Sequence, residues 1–187
     1  MERVPGLRMS KAKGAVNMKR NLRRSVLASL LLVFATLAVA YAQQPKGNMS
    51  GTAHEQMNKR GDRVMGFDHT RTTHHFLLQE SGGSIEVTAN SSADVESATQ
   101  IRMHLKHIAM MFAAGNFRAP LLIHDQTPPG VPVMRRLKGE IEYNFEEIDR
   151  GGAVRISTRN PVALRAIHKF LRFQIKEHKT GDPLVIQ

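Results

Sequence analysis

Residues 72–89 read Thr72-Thr73-His74-His75-Phe76-Leu77-Leu78-Gln79-Glu80-Ser81-Gly82-Gly83-Ser84-Ile85-Glu86-Val87-Thr88-Ala89. A glycine pair divides two alternating runs, Thr72–Gln79 before it and Ser84–Ala89 after it, the second with Ile85 and Val87 on one face. Successive side chains of a strand point to opposite faces, so alternation on both sides of Gly-Gly predicts a β-hairpin. From Asp94 to Ala114 the period changes. Ile101, Leu105, Ile108 and Phe112 now share one stripe of a helix.

The second half repeats the plan. Ile141, Tyr143 and Phe145 alternate, Gly151-Gly152 turns the chain, and Val154 and Ile156 alternate again. A helix over 161–179 follows, with Asn160 as its N-cap, Pro161 in its first position and Gly181 as its stop signal. Superposing the glycine pairs sets Phe76 on Phe145, Ile85 on Val154 and Val87 on Ile156. After a three-residue gap, Ile101 falls on Ile167, Leu105 on Leu171 and Gly115 on Gly181. Each half is apolar on one face only. The expected fold is therefore α+β: duplicated ββα units forming one antiparallel four-stranded sheet packed against two main helices.

Between the halves lies a connector, 116–132. Its Leu121-Leu122-Ile123 run reads as a short strand, and Pro128-Pro129-Gly130-Val131-Pro132 as a rigid turn before a short helix over 133–138. Loops stiffened on a scaffold are where sites gather, which draws attention to His124-Asp125.

Upstream, Lys19-Arg20-Asn21-Leu22-Arg23-Arg24 precedes an apolar run from Val26 to Ala40, and Ala40-Tyr41-Ala42 closes it. A basic region, a short apolar segment and small residues spaced A-x-A predict a signal peptide cleaved after Ala42. The run falls short of the roughly 20 apolar residues of a spanning helix. The Arg pair also fits the loose core of a twin-arginine signal, but the strongly apolar segment favours the general secretory route. Residues 1–17 read as an extension, with Met18 an alternative start. The expected division is thus 1–42 extension and signal, 43–62 polar disordered tether, 63–182 a single domain and 183–187 a tail, exported to a bacterial periplasm or the cell exterior.

The net charge of +11 belongs mostly to the leader, since residues 1–42 hold eight Lys/Arg and one acid. The remainder carries 19 bases against 15 acids, or +4, with no Trp and no basic run interleaved with aromatics. Nucleic acid is not an expected partner, nor is a membrane span after cleavage. There is no Cys, so stability must come from the core. Any metal site must use His, Met, Asp or Glu.

Nine His and seven of the ten Met lie beyond residue 42. On a helical wheel His104 lies about 60° from the centre of the Ile101 stripe, Met111 about 80° and His107 about 120°, all on one flank. His74 shares the face of Phe76 and should point toward the helices. His168 borders the apolar stripe of the last helix and His178 falls within it, near a C-terminus whose dipole favours a cationic ring. Imidazole suits copper and zinc, and thioether favours Cu(I). The expected site is therefore a copper or zinc centre drawn from His74, His104, His107, Met111 and His124. His54 and His69 are not counted in it. Two other readings stand beside it. One is an interaction or ligand-binding module with structural histidines, its partner another envelope protein. The other is an enzyme with His124 or His74 as general base. No nucleophile elbow, phosphate loop or paired acid supports catalysis, and no catalytic residue is assigned.

Overall fold

The computed structural model describes residues 49–187, so the expected leader and its cleavage site lie outside the described residues. In chain order the elements are α1 (Met49–Met65), a 3-10 turn (His69–Arg71), β1 (Thr72–Gln79), β2 (Gly82–Ala89), α2 (Val95–Ala113), α3 (Arg118–His124), α4 (Val131–Arg136), a second 3-10 turn (Lys138–Glu140), β3 (Ile141–Ile148), β4 (Gly151–Thr158) and α5 (Pro161–His178). The strands form one antiparallel sheet in the order β1-β2-β4-β3. The architecture is α+β.

The hairpins meet through their second strands. Gly82 stands opposite Ser157 and Thr88 opposite Gly151, so each glycine pair lies against the far end of the other central strand. The helices then exchange places: α2 packs chiefly over β3 and β4, while α5 packs mostly over β1 and β2. Phe76, Leu78, Ile85 and Val87 from one hairpin and Ile141, Tyr143, Val154 and Ile156 from the other fill the covered face. Ile101, Leu105, Ile108 and Phe112 of α2 and Ile167, Phe170, Leu171 and Ile175 of α5 close it from above. The opposite face is polar. Glu142, Asn144 and Glu146 are exposed, and Arg155 is paired with both Glu86 and Glu146.

Both long helices begin on side-chain caps. Asp94 accepts from the Ser97 backbone N–H at 3.1 Å, and Asn160 accepts from Val162 and Ala163 at 2.7 and 3.2 Å. Because two otherwise orphaned donors depend on it, Asn160→Ala should destabilise the protein by about 1 kcal/mol, read as a lower urea midpoint at unchanged slope.

Two expectations about the chain's path need correction. The Leu121-Leu122-Ile123 run is not a strand but part of α3, because Phe117, Pro120, Ile123 and His124 are buried at helical spacing while Leu121 and Leu122 are exposed. The stretch expected as a tether through Asp62 is helical from Met49. Met57 of α1 is 4% exposed, Arg60 Nε donates to the Ile123 carbonyl at 2.8 Å, and Asp62 binds His69. Met57, Met65 packed against the core, and two polar ties hold this largely polar helix.

The C-terminal residues follow the edge of β1. The Asp182 carboxylate accepts from the Phe76 N–H at 2.9 Å and from His75 Nδ1 at 2.8 Å, and Gln187 N–H donates to the Leu78 carbonyl at 3.0 Å. His75, pointing away from the helices, is thus a structural tie between strand and tail.

Candidate metal centre

β1 alternation turns His74 to the covered face, where it stacks on Phe76 with ring centroids 6.4 Å apart. α5 ends with His178, whose ring lies parallel to His74 at 5.7 Å. α3 ends with His124, whose ring stands edge-on to His178 at 5.1 Å. α2 contributes His104, edge-on to Phe67, which itself stacks on His74. All four imidazoles line one cavity of about 60 Å³, room for a few water-sized groups, whose other walls are almost entirely apolar.

The hydrogen bonds fix the state of His124. Its side chain is fully buried, and Nε2 lies 3.0 Å from Gln174 Oε1, an atom that only accepts. The proton therefore sits on Nε2 and the Nδ1 lone pair is free; the nearest acid, Glu177 Oε2, is 3.9 Å away. Nδ1 has no hydrogen-bond partner, and neither do His74 Nε2 and Gln174 Nε2. Among the described residues four buried side-chain polar atoms lack a partner, and these three belong to residues lining this cavity. The fourth, the Tyr143 hydroxyl, lies outside it. Each such atom disfavours folding by roughly 1–3 kcal/mol, so their concentration at one cavity calls for a physical reason.

Electrostatics keep the rings neutral. Burial, reinforced by the charge of His104, pushes the His74 pKa down to about 4. Burial and then His107 push His104 down to about 4. Burial lowers His124 against the opposing pull of Gln174 and Glu177, and holds His178 well below the ordinary range. A cationic ring at the end of α5 is thus overturned. The helix terminus offers about 0.3–2 kcal/mol to a charge, less than the desolvation of a buried one.

Of the residues singled out from sequence, His74, His104 and His124 come together. His107 and Met111 do not join them. His107 is exposed on α2, and Met111, half-buried, accepts from Asn116 Nδ2 at 3.6 Å near the helix end. His168 is structural, since its Nε2 donates to the Gln79 and Gly82 carbonyls at 2.9 and 3.0 Å and locks the first hairpin's turn. His178, which sequence reasoning noticed but did not choose, stands between His74 and His124.

Among the described residues, one group of three potential ligands has all its donor atoms within 4.8 Å: Asp62, Asp68 and His69. Asp68 there caps the 3-10 turn through the Thr70 N–H and hydroxyl, and Asp62 accepts from both the backbone and the ring of His69. Those oxygens serve the turn. The buried imidazoles are neighbours as rings without three of their donors lying that close, so coordination requires rotation about side-chain torsions.

Outside the His74–His178 pair is a second, larger cavity of about 270 Å³. His54, Met57, Met65 and His69 line it from α1 and the first 3-10 turn, and His74 and His178 form part of its floor. No helix among the described residues is long and apolar enough to cross a membrane. No protein-family model, curated protein or solved structure matches this chain.

Proposed function

We propose that this is an exported protein that holds a transition-metal cation, copper or zinc, at His74, His124 and His178, with His104 beside them. One observation carries the reading: two neutral imidazoles with unpartnered buried nitrogens, His74 Nε2 and His124 Nδ1, flank a third at one cavity. Two imidazoles bound to the same tetrahedral ion at about 2.0 Å have ring centres about 5 Å apart, and the separations here are 5.1 and 5.7 Å. Gln174 supports the assignment as the outer partner that fixes the His124 tautomer, which is how ligating imidazoles are commonly oriented. Export rests on the basic, apolar and A-x-A segments before residue 43. The two hairpin-and-helix halves we read as copies of one unit, because Ile101 and Ile167, and Leu105 and Leu171, are buried at matching positions.

The test is a thermal melt of the full chain with Zn(II), and with copper kept as Cu(I) by a reductant. A cation at a hundred times its Kd should stabilise the fold by about 2.7 kcal/mol. His124→Gln should remove most of that gain and His107→Gln none of it. No shift with either metal refutes the reading. The cavity's apolar walls, among them Phe76, Val87, Ile108 and Phe170, favour a second reading: a small ligand with an apolar body and one hydrogen-bonding group. Such a ligand would stabilise the chain where both metals fail.

A further inference from the structure

We propose that the cation is Cu(I) and that the outer cavity is a second Cu(I) site, built from the thioethers of Met57 and Met65 and the imidazoles of His54 and His69. The inference rests on the metal reading of the inner cluster and specifies its cation.

Three observations point the same way. The first is donor chemistry. Two methionines and two further histidines face one chamber whose floor is the His74–His178 pair, and thioether sulfur is a soft ligand that selects Cu(I) over Zn(II). The second is His69. Its Nδ1 lies 2.9 and 3.0 Å from the two Asp62 oxygens, and its backbone N–H donates to the same carboxylate at 2.9 Å. The ring's proton is thereby held on Nδ1 and the Nε2 lone pair left free, the carboxylate–imidazole arrangement that orients and strengthens a metal ligand. The third is charge. The inner cavity offers only neutral donors, and Glu177 is 3.9 Å from His124 Nδ1 and half-exposed. A buried monocation needs less compensation than a dication in such surroundings.

Position links the two sites. The outer chamber is the larger of the two and shares Met65, His74, Ile123 and His178 with the inner one. A cation held beside α1 thus lies against the same His74 and His178 rings that wall the inner site. The same Asp62 that orients His69 belongs to α1, so docking of that helix and completion of the outer ligand set are one event.

The experiment is a titration of the full chain with Cu(I) under reducing, oxygen-free conditions. A chromophoric Cu(I) chelator serves as competitor, and a Zn(II) titration runs in parallel. The wild type should take up two Cu(I) per chain. Met57→Leu/Met65→Leu nearly conserves volume, so it should stay folded by circular dichroism. It should take up one Cu(I), with Zn(II) affinity unchanged within about twofold. Asp62→Asn should weaken the outer site by about 10–100-fold. Two Cu(I) in the double methionine variant, or a single Cu(I) in the wild type that is lost in His124→Gln, overturns the outer site and leaves the inner reading standing. Absence of both Cu(I) and Zn(II) binding in the wild type refutes the two together.

Discussion

Gly151→Ala should leave little folded protein. A Cβ at this position would sit 2.0 Å from the Val87 carbonyl oxygen and 2.9 Å from Thr88 Cα, distances that van der Waals contact does not permit. The neighbouring atoms are backbone, so no side-chain rotation relieves the clash. β2 and β4 would have to part at the centre of the only sheet among the described residues. Gly82 is its counterpart, with φ of +156° and a Cβ position 1.9 Å from the Ile156 carbonyl oxygen. Separating the central strands disrupts ladder hydrogen bonds and the core beneath them. A loss above about 4 kcal/mol is expected, of the order of a marginal domain's whole stability. Gly139→Ala, where a Cβ meets nothing within 4 Å, is the matched control. A Gly151→Ala protein melting within a few degrees of the wild type would show that the two strands do not meet as described.

Acid should unfold the protein well before its carboxylates matter. At neutral pH the buried imidazoles are neutral in both the folded and unfolded chain and make no difference. Below about pH 6.5 the unfolded chain binds protons that folded His74 and His104 refuse until about pH 4. Stability therefore falls as pH drops through that window, by on the order of 3 kcal/mol for each ring at most. His178 and His124 push in the same direction. Asp94 and Asp182 have lowered values and begin to count only below about pH 4. Urea midpoints at pH 7.5, 5.5 and 4.5 should show a steep decline, and His74→Phe should flatten it. A wild type equally stable at all three would mean that the rings are solvated. Bound metal should delay the decline, because ligation and protonation compete for the same lone pairs.

What the sequence made legible was whatever a period could carry. Alternation located all four strands and turned His74 inward and His75 outward. The apolar stripes and the Asp94 and Asn160 caps located α2 and α5. Period fails where a segment is short or its anchoring is tertiary. Three apolar residues in a row fit a strand as well as one turn of helix, so the period alone does not identify α3. α1 sets only Met57 and Met65, eight residues apart among polar ones, against the rest of the fold, too sparse a stripe to announce a helix. The site followed the same rule. A helical wheel sets His104, His107 and Met111 on one flank of α2 but does not say how wide an arc the neighbours cover. Here coverage reaches His104 and stops short of His107. His178 is visible on the stripe of α5, and the pattern predicts a charge there because the wheel registers a helix end and not the three aromatic or imidazole rings packed around it.

The exchange of roofs between the two hairpins has a final consequence. Because each hairpin is covered by the helix that follows the other, neither half encloses a core by itself, and the four imidazoles arrive from β1, α2, α3 and α5. The cluster is a property of the finished tertiary structure and of no fragment. An ion seated there would staple together segments more than a hundred residues apart, making occupancy a report on whether the entire polypeptide has assembled.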